Sequence, residues 1–329
     1  MNFDVIIATF NRKKSLNTLV RQILSCSQLP ENIIIIDSSK IINEEVQNFD
    51  RVKYLHSNHT NQAYQRYIGY TESSNEILVY FDDDMRILDK QCFTKILSIY
   101  ENNGVVGVQP NFSYKNDFFD NKIPKSKIRG LYKKFHIYNV LKILSGNPDI
   151  NDGKFWFSGL RGLKPKNGRP IEWFNGPVFS VNKQFLYNNF NFNLFDLYEK
   201  RIGKAEDAIL GFTASRLGNI IYIEDKMFFH EDNNDSVYSA DLISFGDRVA
   251  FSRLYLSFEY ARLSKKSFIL AFMHFNLYIF GRIIGMIANQ VISYERNRNQ
   301  LIYGYFKGYL RALLSIKKLI SFKDQSNLS

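Results

Sequence analysis

The first 110 residues alternate between short apolar runs and stretches with helical spacing, and this alternation limits the fold more than any other feature. Apolar runs predict strands at Phe3–Ala8, Asn32–Ile36, Val52–His56, Glu76–Phe81 and Val105–Val108. Helical spacing lies between them, most clearly at Asn61–Ser73 and Lys90–Tyr100. The runs are apolar at consecutive positions, which is typical of strands buried on both faces. We therefore predict an α/β fold with a Rossmann-like, mostly parallel sheet and helices on both faces.

The rest of the chain divides into three further parts. Residues 110–170 are irregular, with scattered basic residues, Asn and Gly, and indicate an insertion. A strand-like pattern returns at Ile171–Val181, followed by a helix at Asp207–Leu217 and two short strands, Asn219–Glu224 and Met227–His230. From about residue 236 the pattern is helical throughout. We expect an α/β domain over residues 1–235 and a helical C-terminal region over residues 236–329.

The positive charge lies in this helical region. The chain carries a formal net charge of +11, and residues 251–329 contain 12 basic and 3 acidic residues. Residues 300–320 have the spacing of a basic amphipathic helix. Two interpretations stay open: peripheral binding to an anionic membrane leaflet, or a helical subdomain that packs on the α/β domain, with a homodimer contact as a further alternative.

One segment, Phe268–Ile292, is long enough to cross a bilayer, which takes about 20 apolar residues. Its central Arg282 disfavours a membrane-spanning helix. The N-terminal residues show no signal-peptide pattern. Cys26 and Cys92 fall in predicted helices without metal-ligand spacing, which favours free thiols in a reducing compartment. We expect a cytoplasmic protein bound peripherally to the inner face of the plasma membrane.

Three consecutive carboxylates, Asp82, Asp83 and Asp84, follow the fourth predicted strand. Asp82 and Asp84 are two residues apart, so in extended backbone they point the same way. Carboxylate oxygens are the ligands that Mg²⁺ and Mn²⁺ take alongside phosphate groups. The simpler alternative is a solvated acidic turn or a helix cap. Because ligands of parallel sheets bind at the carboxyl ends of strands, this position favours the metal site.

Polar residues also follow the neighbouring strands. Strand one ends with Thr9, Asn11 and Arg12, and strand two with Asp37. Each residue taken alone suits a turn or a cap, but together they would line one crevice of the kind that binds a nucleotide. The sequence has neither a G-x-G-x-x-G fingerprint nor a P-loop, so a metal would have to replace a backbone phosphate cradle.

These segments together resemble the inverting GT-A glycosyltransferases of family 2 over roughly residues 2–232. The resemblance rests on DVIIATFNRKKSL at 4–16, IIIIDSS at 33–39, ILVYFDDD at 77–84, EWFNGPVFSV at 172–181, AEDAILGF at 205–212 and FFHED at 228–232. It departs from the family's N-x-G-x-x-x-A-R-N-x-G pattern after strand three. Arg66 and Gly69 match that pattern, whereas Thr60 and Tyr67 replace a Gly and an Asn. The two replacements lie in the segment after strand three whose residues contact the donor phosphates in the family.

The resemblance implies a role for each matched residue. Asp207 would be the catalytic base, and Asp84, Asp82 and His230 would be the metal ligands. The residues near the nucleotide sugar and the acceptor would be Thr9, Asn11, Arg12, Asp37, Arg66, Asp82, Asp83, Trp173, Asn175, Gly176 and Glu206. The cofactor would be Mn²⁺ or Mg²⁺. The donor would be a nucleoside-diphosphate sugar, with UDP ahead of dTDP and GDP.

The implied reaction is a single inverting displacement by a hexosyltransferase in surface polysaccharide or glycolipid synthesis. A metal would stabilise the leaving diphosphate, and a carboxylate would deprotonate the acceptor hydroxyl of a glycan or a lipid-linked glycan. Residues 110–170 and the helical region would shape the acceptor site. The alternative is an inactive sugar-nucleotide-binding protein or a membrane-associated scaffold.

Two other classes of protein fit the sequence less well. A nucleic-acid binder is disfavoured because the basic excess is confined to the helical region and no DNA- or RNA-binding motif is present. We therefore expect no nucleic-acid partner. A nucleotidyltransferase on a similar sheet would need a Gly-rich N-terminal loop, and Thr9–Lys13 contains no Gly.

Overall fold

The computed structural model describes residues 1–114, 153–162, 165, 168–187, 206–231, 241–292 and 294–320. The strands are β1 (Phe3–Thr9), β2 (Asn32–Asp37), β3 (Val52–His56), β4 (Ile77–Asp82), β5 (Met85–Ile87), β6 (Val105–Tyr114), β7 (Pro170–Ile171), β8 (Val178–Asn182) and β9 (Asn219–His230). The helices are α1 (Lys13–Ile23), α2 (Glu44–Gln47), α3 (Gln62–Glu72), α4 (Cys92–Ile99), α5 (Lys183–Tyr187), α6 (Glu206–Ala214), α7 (Leu242–Leu263), α8 (Phe268–Ile292), α9 (Arg296–Leu314) and α10 (Ile316–Ile320).

The strands form one sheet in the order β3-β2-β1-β4-β8-β6-β9-β5, with β7 paired to β9. Strands β1 to β4 are parallel to one another. Strand β8 runs antiparallel to both β4 and β6, and β5 and β7 run antiparallel to β9. The α/β prediction is therefore confirmed, and the sheet is mixed: β1 to β4 form one parallel part, and β6 and β9 form a second parallel pair.

Two-sided burial explains why the apolar runs of β1, β2 and β4 became central strands. The run of β3, also expected to be buried, lies at the edge of the sheet and is only partly buried. All seven residues of β1 are buried. Alternate residues point to opposite faces. Val5 and Ile7 pack with α1 and α4 in one hydrophobic cluster. Ile6 belongs to the other cluster, which continues into the C-terminal helices.

The parallel register brings three strand ends to one edge of the sheet. Thr9 is level with Asp37, and Ala8 is level with Asp82. The crevice expected from the polar strand ends therefore forms at the carboxyl ends of β1, β2 and β4.

Several element boundaries differ from the sequence prediction. Strand β6 continues to Tyr114, so residues 110–114, expected to be irregular, extend the sheet. Most of the remaining predicted insertion lies outside the described residues. The two short strands expected between 219 and 230 are one strand, β9, and its register with β6 shifts near Pro110 and Asn111.

The segment expected to form one strand at 171–181 forms two, β7 and β8, with a turn between them. Cys26 was placed in a helix but lies in the turn after α1. Its sulfur is 4.0 Å from that of Cys92, and both are buried free thiols.

The C-terminal helices pack on one face of the sheet. Phe212 of α6 shares a hydrophobic cluster with Leu254 of α7 and Phe275 of α8. The helix predicted over residues 300–320 is divided at Ser315 into α9 and α10. Among the described residues, α8 alone is long and apolar enough to cross a membrane, and 28% of its apolar window is buried.

Helices α7 and α9 cross closely because glycines lie at their contact. A Cβ atom built on Gly308 would lie 2.2 Å from the carbonyl oxygen of Asp247. One on Gly304 would lie 2.4 Å from the carbonyl oxygen of Ile243. Backbone atoms cannot move aside as a flexible side chain can, so larger residues at these positions would push the helices apart.

We expect Gly308→Ala to lower the free energy of unfolding by about 1–3 kcal/mol, the usual cost of overpacking a tight contact. Gly285→Ala on α8 is the matched control, because its Cβ would meet no atom within 4 Å. The control should raise that free energy by about 0.5–1 kcal/mol, since it replaces a helical glycine without a clash. Urea unfolding measures both, and equal effects in the two variants would contradict the close crossing.

Candidate active site

The three aspartates divide between two directions. Asp82 ends β4, where its Oδ1 accepts hydrogen bonds from Nε2 of Gln62 at 2.7 Å and Nη2 of Arg66 at 2.9 Å. Asp83 is turned toward the end of β1, where its Oδ2 accepts a hydrogen bond from Thr9 Oγ1 at 2.6 Å. Asp84 lies in the turn before β5. Asp82 and Asp84 therefore face the crevice together, as their spacing predicts.

His230 joins this pair through the pairing of β5 with β9. It is the last residue of β9 and is level with Met85, so its ring reaches Asp84. Nε2 of His230 lies 3.1 Å from Oδ1 of Asp84. One side-chain ligand atom each from Asp82, Asp84 and His230 lies within 4.8 Å of the others, which is close enough to hold a metal ion.

Arg12 places a fixed positive charge beside the aspartates. Its Nη1 lies 2.9 Å from Oδ1 of Asp83 and 2.5 Å from Oδ2 of Asp84. The neighbouring Asn11 has a positive φ of 57° and donates its backbone N–H to Ser39 Oγ at 2.6 Å. This turn after β1 therefore aims Arg12 into the crevice.

Arg66 connects three parts of the fold. It lies on α3, is 5% exposed, and reaches Glu206 on α6 with Nη1 at 2.7 Å. Its Nη2 binds Asp82 on β4 at 2.9 Å and the carbonyl oxygen of Gly176 at 2.8 Å. One guanidinium thus holds the end of a central strand, the start of a helix and the turn before β8 at fixed separations.

Asp207 lies in the first turn of α6, next to Glu206. Its Oδ2 accepts a hydrogen bond from the backbone N–H of Gly176 at 2.6 Å and another from Arg161 Nη1 at 3.1 Å. Gly211 allows α6 this approach, because a Cβ there would lie 2.2 Å from the backbone nitrogen of Phe174. The result is a nearly buried carboxylate at the border of the crevice.

Asp37 is held by its neighbours at the end of β2. Its carboxylate accepts hydrogen bonds from the backbone N–H of Ser39 at 2.7 Å and from Tyr54 Oη at 2.6 Å. Gln65 on α3 donates to the carbonyl oxygens of both Thr9 and Ile36. These bonds fix the ends of β1 and β2 where a nucleoside was expected to bind.

The remaining predicted residues lie in the turn between β7 and β8. Asn175 is half-buried, and its backbone N–H bonds to Oε1 of Gln109 at 2.6 Å. Gly176 contacts both Arg66 and Asp207, so it borders the crevice. The indole of Trp173 is 4% exposed and belongs to the hydrophobic core, with the Arg161 guanidinium 5.7 Å from its ring centre.

Burial and nearby charges shift several of these carboxyl groups. Burial raises the pKa of Asp83 to about 7, despite its contacts with Arg12 and Thr9. Burial likewise raises the pKa of Glu206 to about 7, and that of Asp82 above its usual value, despite the charge of Arg66. Burial also opposes ionisation of Asp84, but its contacts with His230 and Arg12 are stronger and hold its pKa below the usual value.

These shifts describe a crevice with more carboxyl groups than nearby cations. Buried carboxylates are costly unless they are paired or coordinate a cation. A divalent ion beside Asp82 and Asp84 would satisfy that requirement.

Comparison with known families and structures shows what the domain is similar to. Residues 4–161 match the family described as glycosyl transferase family 2. This part of the chain therefore resembles a family 2 glycosyltransferase domain. A comparison with curated proteins gives no match.

Solved structures of GT-A glycosyltransferases share this fold. The mannosyltransferase PcManGT from Pyrobaculum calidifontis, in complex with GDP-Man and Mn²⁺, superposes with a TM-score of 0.52 at 12% identity, covering 97% of this chain and 86% of that one. S. aureus TarS 1-349, in complex with UDP-GlcNAc, gives a TM-score of 0.51 at 13% identity, covering 97% and 92%. At these identities the likeness establishes the fold.

Two residues of the crevice were absent from the sequence prediction. Gln62 precedes Arg66 by four residues on α3, and that helical spacing is the signal that pairs them at Asp82. Arg161 comes from the stretch predicted to be an irregular insertion, where no pattern pointed to Asp207. Only the folded chain brings Arg161 and Asp207 together, since they lie 46 positions apart in the sequence.

We expect Arg66→Ala to lower the free energy of unfolding of the protein by about 3–5 kcal/mol, because it leaves the carboxylates of Asp82 and Glu206 buried without their shared partner. Arg21→Ala is the control. Arg21 forms an ion pair with Glu45 at 2.8 Å, with side chains 63% and 45% exposed. Such surface pairs contribute less than about 1 kcal/mol. Chemical unfolding compares the two, and similar losses would contradict the role of burial.

Proposed function

We propose that this protein is a metal-dependent, inverting hexosyltransferase. It would move a sugar from a nucleoside-diphosphate donor to a hydroxyl of a glycan or lipid-linked acceptor, in surface polysaccharide or glycolipid synthesis. The observation that carries the proposal is that Arg66 joins two acidic centres, Asp82 with Asp84 and Glu206 with Asp207, by binding Asp82 and Glu206. The first centre is suited to a cation, and the second holds the Asp207 carboxylate for proton transfer.

The donor set fits a divalent ion. Asp82 and Asp84 supply hard oxygen ligands, and His230 supplies a nitrogen. Oxygen ligands suit Mg²⁺ and Mn²⁺, and the imidazole favours the transition metal Mn²⁺. When bound, the metal would act as a Lewis acid on the diphosphate. Arg12, already beside Asp84, would contribute a second positive charge to the phosphates.

Asp207 has the geometry of a general base. Its Oδ2 is bonded to the N–H of Gly176 and to Arg161, which hold the carboxylate in one orientation. The proposal assigns the proton of the acceptor hydroxyl to Oδ1. The acceptor oxygen forms its bond to C1 as the bond from C1 to the diphosphate breaks on the opposite face, which inverts the anomeric centre. No covalent enzyme intermediate is required.

The related structures support a nucleotide-sugar donor. PcManGT binds GDP-Man with Mn²⁺, and TarS binds UDP-GlcNAc. We propose UDP as the first nucleotide to test, followed by GDP and dTDP. We also assign the enzyme to the cytoplasm, because the chain has only two cysteines, Cys26 and Cys92, without the spacing of a disulfide framework or a metal site.

We expect one of these nucleotides to raise the melting temperature of the protein in the presence of Mn²⁺ and not in EDTA. A ligand that binds only the folded state stabilises it by about 2.7 kcal/mol at a hundredfold excess over its dissociation constant. Asp84→Asn should abolish the metal-dependent shift, because it weakens the metal site while preserving shape. Leu29→Asn, at an exposed position in the loop before β2, is the control. No shift with any nucleotide would favour the scaffold alternative.

We expect Asp207→Asn to lower kcat by about 10²–10⁴-fold, the usual contribution of a general base. The nucleotide-dependent thermal shift should remain, because Asp207 is separate from the metal-binding set. Steady-state release of the nucleoside diphosphate measures the first effect and thermal shift the second. A variant that keeps full activity would remove Asp207 from the proposed role.

A further inference from the structure

One face of α8 exposes only apolar side chains over almost its whole length. Val291 is 84% exposed, Ile269 73% and Ile284 64%. The set recurs every one to four residues, mostly three or four, and consists of Ile269, Leu270, Met273, Leu277, Phe280, Ile284, Ile287 and Val291. At about 1.5 Å per helical residue, this stripe is about 33 Å long. Stripes of this length are uncommon on the surface of a monomer.

Helix α9 extends this surface. It exposes Tyr303, Phe306, Leu310 and Leu314. The two helices adjoin at Tyr309, whose ring centre lies 5.3 Å from that of Phe280. We call these exposed side chains of α8 and α9 the apolar face.

The opposite side of α8 is occupied. Ala271, Phe275, Ile279 and Ile283 are buried in the cluster shared with α7 and α9. Arg298 of α9 donates to the carbonyl oxygen of Asn289 there, at 2.6 Å. Lipid around the whole helix would have to replace this packing, so α8 fits a membrane surface better than a membrane-spanning position.

The positive charge of the C-terminal helices indicates which partner the apolar face binds. Residues 242–320 contain 12 basic and 3 acidic residues. The acidic ones are paired within the helices: Asp247 with Arg311, Glu259 with Arg262, and Glu295 with Arg298. Exposed basic side chains include Lys265, Lys266, Arg296, Lys317 and Lys318. A second copy would bring like charges together, whereas an anionic lipid surface is complementary.

We propose that the apolar face docks on an anionic membrane surface, with α8 and α9 lying in the plane of the headgroups. The apolar side chains enter the boundary between headgroups and acyl chains, and the surrounding Lys and Arg residues face the lipid phosphates. The partner is a lipid surface, and the docking element is the C-terminal helical layer.

This layer also contacts the segment that reaches Asp207. The ring of His274 on α8 stacks on Phe157 at 5.2 Å, and Ser257 of α7 bonds to the carbonyl of Phe157. Four residues later, Arg161 binds Asp207. Membrane docking would therefore hold the segment that contacts the proposed base against the membrane-bound helical layer. The consequence, which rests on the proposed function, is that the acceptor is lipid-linked.

Sedimentation of the full chain with vesicles tests the docking. We expect the protein to sediment with vesicles of phosphatidylcholine and phosphatidylglycerol, much less with phosphatidylcholine alone, and less at high salt. The double variant Ile284→Glu with Ile287→Glu should lower the affinity for anionic vesicles by about tenfold or more, since it puts charge into the apolar face. Leu29→Glu is the matched control at an exposed position elsewhere, and should bind as the wild type does.

Three results would overturn the proposal. One is a wild-type chain that does not sediment with anionic vesicles, and another is a double variant that binds as well as Leu29→Glu. The third is light scattering that shows a wild-type dimer, a monomeric double variant and no vesicle binding, which would assign the apolar face to a second copy.

Vesicle binding requires neither metal nor donor. Loss of the nucleotide thermal shift with intact vesicle binding would therefore reject the proposed function and leave the docking in place. Melting temperatures of both variants establish that they are folded.

Discussion

The buried guanidinium of Arg66 is the contact on which the rest of the site depends. It binds Asp82 at the end of β4, Glu206 at the start of α6 and the carbonyl of Gly176 before β8. These segments come from distant parts of the chain and carry, respectively, a metal-ligand candidate, the neighbour of Asp207 and the backbone N–H that holds Asp207. The separation between the two acidic centres is therefore set by one planar, permanently charged group.

The C-terminal helices also help to position Asp207, because they pack on the segment that carries Arg161. Gly159 has a positive φ of 72°, and a Cβ there would lie 2.6 Å from Cβ of Leu256 on α7. Its carbonyl accepts a hydrogen bond from Arg253, also on α7. The segment that presents Arg161 is thus packed directly on the helical layer. The helices that form the proposed membrane surface also help to orient the proposed base.

Much of the fold could be predicted from the sequence because the signals are local. The apolar runs that became β1 and β2 needed no information from elsewhere, and the carboxyl-end rule located the crevice at Asp82. The direction of β8 and the extension of β6 to Tyr114 could not be predicted, because strand pairing depends on partners distant in the chain. The conclusion that Trp173 is a core side chain likewise required its three-dimensional surroundings.

The sequence by itself determined the α/β class, the aspartates at a strand end, and an apolar, basic C-terminal region. Hydrophobic periodicity and the polar residues that follow strands are properties of neighbouring residues, so they can be recognised in the sequence without knowledge of the fold. The family resemblance already grouped His230 with Asp84, and the pairing of β5 with β9 brings them together. The tertiary structure alone decided that Arg161 meets Asp207 and which side of α8 is exposed. Each of these depends on packing between segments far apart in the chain, where the burial of charge and the close approach of backbones select the partners.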